Sequence, residues 1–294
     1  MGWRTVVITE RSQLSYKLGY LTIRNAEKPE RIFLDEIDCL IVESCASYLN
    51  SGLVDELARR KIAVLFCDRR HNPAVQMLPL SGAFDVRRKI TEQLDWDQAV
   101  MDEVWRRIVS AKIARQADVL SLFESASQDA ERLRLLAETV EPADLTNLEA
   151  QAARRYFAVV FGREFNRKDM DWHENAALNY GYAILLGLFN RSVVANGYLT
   201  QLGIHHIGNE NAFNLSCDLM EPFRPAIDRH LIRESLWDLN PTNKLQIVNA
   251  INTQVVIEGQ KHYLANAVSI YCKNALDALS LREPDRFVDF EFCE

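Results

Sequence analysis

Two carboxylates lie three residues apart in a segment that otherwise has the pattern of a buried helix. In NLSCDLMEPFRPAIDRH (214–230), Asp218 and Glu221 share one helical face, because positions i and i+3 are neighbours there. Pro222 and Pro225 follow at once, although a proline inside a helix removes a hydrogen bond and costs about 3 kcal/mol. Since such local rule-breaking concentrates at functional sites, we interpret Glu221 as a candidate functional residue.

Helix-capping chemistry is an alternative explanation for Asp218 and for a third carboxylate, Glu149. Ser216 is predicted to cap the helix that contains Asp218, and an acid in the first turn complements the helix dipole. Glu149 lies in DLTNLEAQAARRYF (144–157), three residues after Thr146. This is the spacing of a capping box, and for Glu149 taken alone the capping explanation is favoured. Two arginines, at positions 154 and 155, follow it and can hold phosphates.

Two adjacent histidines, His205 and His206, lie in QLGIHHIGNENAFN (201–214), which is predicted to be a loop between helices. Adjacent loop side chains usually point in different directions, so at most one of them joins a site with the carboxylates. Two carboxylates and one imidazole suit Mg²⁺ or Mn²⁺, because hard cations prefer oxygen and one imidazole admits Mn²⁺. Zinc usually takes more His or Cys ligands. The sequence contains no G-x-G-x-x-G, P-loop or G-x-S-x-G motif.

The composition indicates a folded cytoplasmic protein. Of its 294 residues 48% are apolar, and only 11 are glycine and 8 proline, which suits a mainly helical chain. The net charge of −7 counts against an obvious nucleic-acid binder. The six cysteines have no C-x-x-C spacing, so we predict reduced, buried thiols. We predict no signal peptide and no membrane span, since the most apolar stretch, 183–189, is too short.

The elements that must position these residues change in character near residue 80. Residues 1–80 contain short β-branched runs, including 31–44 and 62–68, a hairpin signal around Gly19 and one short helix over 51–61. The remaining pattern is helical: 86–123, 129–140, 147–162, 175–196, 216–235, 243–257 and 261–280. We therefore predict an α+β fold with a small β domain (1–80), a linker (81–86) and a large all-α domain (87–294).

Several stretches resemble a known family. NLSCDLMEPFRPAID, with GIHH and EAQAARRYF upstream, is similar to the CRISPR-associated integrase, the first-numbered Cas protein. The opening GWRTVVITERSQLSYKLGYLTIRN and the stretch NAALNYGYAILLG resemble the form found in type II systems. The resemblance covers essentially the full length, and DLMEPFRP is specific to the family. It implies that the β domain is an N-terminal β-sandwich and that the helical domain is catalytic.

The resemblance also implies the site residues. The metal-binding glutamate, histidine and acid of the family fall at Glu149, His206 and Glu221, with Asp218 beside them as a supporting catalytic carboxylate. His206 is selected by counting from Gly203 in the glycine–x–x–histidine pattern, and a one-residue shift of the loop would select the neighbouring histidine. The implied cofactor is Mg²⁺ or Mn²⁺. The two prolines are then expected to aim the helix start so that both acids of that helix face a cation.

The function implied by the resemblance is CRISPR adaptation. Short foreign duplex DNA is captured, and its 3′-hydroxyl attacks a phosphodiester at the edge of the CRISPR repeat, a transesterification that needs no ATP. The implied partners are double-stranded DNA, the second-numbered Cas protein, other type II Cas proteins and a second copy of the chain. We predict that this homodimer forms mainly through the β domain, because the strand 31–44 is more apolar than one small sheet would require.

Local basic residues are predicted to contact the DNA, because binding needs a basic track rather than a basic protein. The candidates are Arg87, Arg88, Lys89, Arg163, Arg167, Lys168 and Arg224. Solvated surface charge is the alternative for each of them, and the last could instead orient the carboxylate of Glu221. Two rival functions share these residues: a structure-selective metal nuclease, in which water attacks, and a non-catalytic DNA-binding or scaffolding subunit, which would tolerate loss of the site.

Overall fold

A computed structural model describes residues 2–26, 29–78, 83–169 and 171–293. The strands within these ranges are β1 (Arg4–Ile8), β2 (Gln13–Lys17), β3 (Tyr20–Arg24), β4 (Glu30–Phe33), β5 (Ile37–Val42), β6 (Tyr48–Leu49), β7 (Ala63–Cys67), β8 (Pro73–Met77), β9 (Gln254–Ile257), β10 (Gln260–Tyr263) and β11 (Phe290–Phe292). The helices are α1 (Ser51–Arg59), α2 (Val86–Leu94), α3 (Gln98–Leu120), α4 (Ser127–Glu138), α5 (Leu148–Phe161), α6 (His173–Ala195), α7 (Asn214–Met220), α8 (Arg224–Glu234), α9 (Pro241–Val248) and α10 (Leu264–Ser280).

The N-terminal strands form two four-stranded sheets that share an apolar core. The first sheet has the order β1–β5–β7–β8, with the first three strands parallel and β8 antiparallel. The second has the order β4–β3–β2–β6. Leu14 and Leu21 of the second sheet, Leu40 of the first and Leu53 of α1 are fully buried together. A sheet-rich N-terminal region followed by a largely helical one confirms the predicted fold class.

The strand β5 is buried on both faces. All six of its residues are buried. Leu40 and Val42 belong to the core shared by the two sheets, whereas Cys39 and Ile41 belong to the core of the helical region, as the alternation of a strand requires. The first sheet is therefore a middle layer between the second sheet and the helices. The apolar side chains of β5 are buried against neighbours on both faces within one chain. They therefore give no argument for a dimer interface at this strand.

The helix α6 joins the first sheet to the helical region. At Gly187 an added Cβ would lie 2.8 Å from Cδ2 of Leu65 in β7, so a larger residue there would force the Leu65 side chain to shift. The carbonyl oxygen of Gly187 also accepts a hydrogen bond from Nε2 of Gln76 in β8 (2.7 Å). Further along the helix, Arg191 donates to the carboxylate of Asp38 in β5 (2.6 Å), and both side chains are buried. Apolar packing and a buried ion pair thus hold the sheet to the helices.

Two of the predicted helices are each divided. The predicted helix 86–123 consists of α2 and α3, because Asp97 accepts hydrogen bonds from the N–H groups of residues 99 and 100 (3.0 and 3.2 Å) and so caps a new helix. The predicted helix 216–235 consists of α7 and α8, separated by a 3₁₀ turn over Glu221–Phe223. Pro222 and Pro225 lie in the first turns of the 3₁₀ segment and of α8, where a missing N–H costs nothing.

A small third sheet was missed by the sequence analysis. The strands β9, β10 and β11 form an antiparallel sheet in the order β10–β9–β11. Helices had been predicted over 243–257 and 261–280, which contain β9 and most of β10. Glu258 and Gly259 both have positive φ (50° and 73°), which is the backbone of a tight hairpin turn after a β-branched run. The C-terminal region is therefore largely helical rather than all-α.

Other boundaries differ more modestly. The predicted strand 31–44 is interrupted by a 3₁₀ turn over Leu34–Glu36, so that β4 and β5 belong to different sheets. The predicted linker 81–86 ends where α2 begins, and residues 79–82 lie outside the described residues. All six cysteines are free thiols, but Cys45 is exposed. Among the described residues, none of the helices combines the length and apolar content that a bilayer span requires.

Breaking the ion pair between α6 and β5 should destabilise the protein strongly. Arg191→Met leaves the Asp38 carboxylate buried without its partner, and we expect the free energy of unfolding to fall by about 3–5 kcal/mol in a urea titration. Adding Asp38→Asn should recover part of this loss, since no charge is then stranded. Arg59→Met is the matched control, because its guanidinium is 66% exposed and such pairs contribute at most ~1 kcal/mol. Equal effects of the two arginine substitutions would contradict this account.

Candidate active site

Glu149 lies in the first turn of α5, but its side chain does not cap the helix. The N-cap is Asn147, whose side chain accepts a backbone hydrogen bond (3.3 Å). The buried carboxylate of Asp144 accepts from the N–H groups of Leu148 (2.8 Å) and Glu149 (3.0 Å). The predicted capping box of Thr146 with Glu149 is wrong, because these two other side chains satisfy the helix start. The Glu149 carboxylate is left available for the interior.

The carboxylates of Glu149 and Glu221 meet at a shared cation, the ammonium group of Lys112 in α3. Its Nζ lies 2.5 Å from Oε1 of Glu149 and 2.5 Å from Oε2 of Glu221. Burial opposes the charge of Lys112, but the two carboxylates outweigh it, so its pKa is raised. Although 72 positions separate the two glutamates in the sequence, three elements bring them to one point: α3, α5 and the 3₁₀ turn after α7.

A second cation, Arg224, holds Glu221 from the other side. Its guanidinium lies 3.0 Å from Oε1 of Glu221 and stacks over the ring of Tyr182, 4.9 Å from the centroid. Burial works against the charge of Glu221, but Arg224 and Lys112 together keep the pKa of that carboxyl below its ordinary value. Of the two predicted roles for Arg224, the contacts match the orientation of Glu221.

The ring of Tyr182 is itself fixed by a buried carboxylate. Asp228 accepts hydrogen bonds from the hydroxyls of Tyr182 (2.6 Å) and Tyr156 (3.0 Å). Burial raises the pKa of Asp228 to about 6, in spite of these two donors. The cluster fixes the aromatic face against which the guanidinium of Arg224 stacks, and so contributes to the position of Glu221.

Asp218 faces the histidine loop rather than the glutamates. Its buried carboxylate accepts hydrogen bonds from three consecutive backbone N–H groups, those of Ile204 (2.7 Å), His205 (3.1 Å) and His206 (3.1 Å). The same carboxylate lies 2.5 Å from Nδ1 of His206. Ser216 is inside α7 and does not cap it. Asp218 therefore holds the loop and one imidazole ring, and it does not share a cation with Glu221.

Both histidine rings pack against the same indole, with their own centroids 5.6 Å apart, although the two side chains were predicted to point in different directions. The ring of His205 stacks on the indole of Trp105 in α3, with centroids 4.1 Å apart and planes 5° apart. His206 meets the same indole edge-on. Gly203 permits this loop, because an added Cβ would lie 2.3 Å from the carbonyl oxygen of His206 and 2.7 Å from Oδ2 of Asp218. The glycine is therefore required by close packing at the site.

The charges of the two glutamates influence the imidazole of His206. The hydrogen bond to Asp218 raises the pKa of His206 against its partial burial, and the negative charges of Glu221 and Glu149 raise it further. With Nδ1 turned to Asp218, the other ring nitrogen is left for a ligand, the usual arrangement of a metal-binding histidine. Beside the ring lies a cavity of about 590 Å³, lined by the loop and the end of α2.

The donor set fits a hard divalent cation. Two carboxylates already face one cation, the Lys112 ammonium, and the imidazole of His206 is close enough for the charges of both glutamates to raise its pKa. In the part of the chain that the structure describes, no three acidic, histidine or cysteine side chains converge as metal ligands. The shared metal site of Glu149, His206 and Glu221 therefore stays a prediction, in which Lys112 must give way.

Some of the predicted DNA-contacting residues already have a polar partner within the protein, and others do not. Arg88 is paired with Asp85 and Glu92, and Lys89 donates to the hydroxyl of Tyr198. Arg167 donates to the side chains of Asn175 and Asn179, and Arg224 is held by Glu221. Side chains without a polar partner among the described residues are Arg87, Arg163 and Lys168, all three exposed.

A basic groove runs along α4 and α5. It has a volume of about 670 Å³ and is lined by four arginines. Arg155 is paired with Asp129 across the groove (2.5 Å). The other three guanidinium groups have no acidic partner within the described ranges: Arg132, Arg154 and Arg163. Gln151, Arg154 and Ala158 of α5 lie roughly 140–200° around the helix from Glu149, so the groove and the candidate site are on opposite faces of α5.

Two site residues were missed by the sequence analysis, Lys112 and Trp105. Both lie on α3, where Ile108, Val109 and Ile113 are buried. A lysine on the apolar face of a helix, three and four residues from buried neighbours, is a signal for a paired interior charge. Lys112 lies four and three residues after the buried Ile108 and Val109, so this spacing would have identified it.

The sequence was compared with protein-family models and with known proteins. Residues 5–236 match the family model of CRISPR associated protein Cas1. The CRISPR-associated endonuclease Cas1 of Neisseria meningitidis serogroup C (strain 8013) is 33% identical over 267 residues, covering 88% of this chain and 86% of that protein.

Solved structures share the fold at lower identity. A casposase bound to an integration product has a TM-score of 0.75 at 19% identity, covering 95% of this chain and 91% of that one. A Cas6-RT-Cas1–Cas2 complex has a TM-score of 0.71 at 17% identity, covering 97% of this chain and 36% of that one. The family match covers the two N-terminal sheets, the histidine loop and both glutamates, and this chain belongs to the Cas1 family of CRISPR-associated proteins.

Proposed function

We propose that this chain is a divalent-metal-dependent DNA integrase and endonuclease of CRISPR adaptation. The observation that carries the proposal is the convergence of Glu149 and Glu221 on one cation, the ammonium of Lys112. Membership of the Cas1 family and the relative named an endonuclease support the nuclease activity. The neighbour bound to an integration product supports strand joining. The reaction is the attack of a DNA 3′-hydroxyl on a phosphodiester of the CRISPR repeat.

In this proposal Glu149, Glu221 and Nε2 of His206 hold Mg²⁺ or Mn²⁺. The cation, when bound, polarises a phosphoryl oxygen and lowers the pKa of the attacking hydroxyl. Asp218 acts as a positioning residue, since its oxygens are engaged by the loop N–H groups and by the imidazole. Arg224 orients the carboxylate of Glu221 and neutralises part of its charge.

The exposed arginines are proposed to bind the DNA backbone. Acidity of the whole chain does not oppose this, because the groove along α4 and α5 is locally basic and phosphate contacts depend on local charge. The second-numbered Cas protein, Cas2, is the proposed protein partner, on the strength of the neighbour that is a complex with Cas2. Other type II Cas proteins remain proposed partners from the sequence resemblance.

Loss of Glu221 should abolish strand joining and leave DNA binding largely intact. Glu221→Ala removes a cation ligand, and we expect joining of short duplex DNA to a repeat-containing plasmid to slow by ~10²-fold or more in Mg²⁺ and in Mn²⁺. Affinity in a gel shift should change little, because it comes from arginine and lysine contacts to phosphates. Glu36→Ala is the control, an acid in the β region that is 41% exposed. Near wild-type joining by Glu221→Ala would favour the scaffolding function instead.

Arginines of the groove should control DNA affinity and its salt dependence. Arg154→Ala and Arg163→Ala should each weaken duplex binding and reduce the slope of log K against log salt by roughly 1, if each contacts one phosphate. Arg88→Ala is the matched control, because its guanidinium is already paired with two acids. A gel-shift salt titration measures all three variants, and a larger effect of Arg88→Ala would locate the DNA elsewhere.

We also propose a homodimer that forms through the β region. An exposed apolar patch lies at the turn between β2 and β3, where Leu18 is 82% exposed and the rings of Tyr20 and Phe33 are 5.3 Å apart. Exposed apolar patches are typical of protein contacts. Light scattering at micromolar concentration should give twice the 33.7 kDa of one chain.

Phe33→Glu should shift the dimer toward monomer, because it introduces a charge into the apolar patch. Val75→Glu, at an exposed position of β8, is the control and should leave the dimer intact. A wild-type protein that scatters as a monomer would rule the dimer out.

A further inference from the structure

The Lys112 ammonium takes up the position that the proposed metal ion needs. Its Nζ is within 2.5 Å of an oxygen of both glutamates, closer than a metal and a lysine could both approach them. The side chain is only 11% exposed. Lysine is a compact point charge on a flexible four-carbon stem, so it can leave this position without moving the helix. The arrangement is one of replacement, in which either the ammonium or a divalent cation lies between the carboxylates.

The fixed charges of the site are already balanced. The two glutamates carry two negative charges, and Lys112 and Arg224 supply two positive ones. Asp218 is directed to the loop and does not face this position. If a divalent cation replaced the ammonium and the displaced Lys112 stayed beside the site, the site would carry an excess of two positive charges, and like charges repel more strongly in a largely buried site than in water. Metal binding is therefore opposed until another anion enters.

A DNA phosphate is the anion that the proposed reaction brings to this place. It would bind the cation and also receive the displaced ammonium, and its single negative charge would reduce the excess of two positive charges to one. Both binding events then favour each other, and by linkage each raises the affinity for the other by the same factor.

We propose that Lys112 is an internal counter-cation that keeps divalent metal out of the DNA-free site, so that metal and DNA phosphate bind cooperatively. This inference rests on the proposed function, because it takes Glu149 and Glu221 as metal ligands. Lys112 then contacts the bound phosphate, which makes it a further residue of the reaction.

The test is the binding of Mn²⁺ alone, measured as free Mn²⁺ by electron paramagnetic resonance. We expect the wild-type protein to bind Mn²⁺ weakly, and at least about tenfold more tightly with a short duplex that lacks a repeat target. Lys112→Met should bind Mn²⁺ at least about tenfold more tightly than wild type without DNA, and should gain little from the duplex. Lys273→Met is the matched control, because Lys273 forms an exposed pair with Asp277.

Two outcomes separate the failure of this inference from that of the proposed function. If Mn²⁺ binding is lost in Glu149→Gln but is unchanged or weaker in Lys112→Met, the metal site exists and Lys112 only positions its ligands. If no Mn²⁺ binding depends on Glu149 in any background, the metal site itself is refuted.

Folding of the variants is followed by thermal melting with EDTA or Mn²⁺. Mn²⁺ should raise the melting temperature of Lys112→Met more than that of the wild-type protein. Lys112→Gln, which keeps a polar group, serves if the methionine variant is too unstable. If neither variant folds with or without Mn²⁺, Lys112 is a structural residue and the inference is overturned.

Discussion

The site depends on one electrostatic constraint: two carboxylates from distant parts of the chain share a single buried cation. Glu149 and Glu221 could not lie this close to each other without a positive charge between them, because burial raises the cost of uncompensated charge. Lys112 supplies that charge from α3, and Arg224 supports the second glutamate. The packing of α3 against α5 and against the turn after α7 is therefore coupled to the chemistry of the site.

A second set of contacts positions the imidazole independently of the glutamates. The Asp218 carboxylate accepts hydrogen bonds from three loop N–H groups and is hydrogen-bonded to the ring of His206. Gly203 allows the loop to pass close to that carboxylate. The prolines act differently from the expectation that both acids face one cation. They divide the helix at a 3₁₀ turn, so that Asp218 faces the loop and Glu221 faces Lys112. Two adjacent acids thus have separate tasks, one structural and one proposed as catalytic.

Electrostatics reconciles an acidic chain with a proposed DNA substrate. The net charge of −7 describes the whole molecule, whereas a phosphate responds to charges within about 10 Å at ordinary ionic strength. Along α4 and α5 three arginines have no acidic partner in the described part of the chain. Other basic residues that the sequence suggested as DNA contacts already bind side chains of the protein, such as Arg88 and Arg167. Charge count alone could not separate these two groups.

The sequence by itself determined the order of β region and helices and the hairpin around Gly19, because periodicity and turn residues are local. Its metal-ligand assignment came from the family resemblance and stays a prediction. It misread the strands on either side of Glu258–Gly259 as the ends of two helices, since a short apolar run has no period that separates strand from helix. Only the tertiary structure decided that β5 is buried on both faces, that Thr146 caps nothing and that Lys112 lies between the two glutamates. These features arise from contacts between residues far apart in the chain, and the energy of a buried charge depends on which partners the fold brings to it.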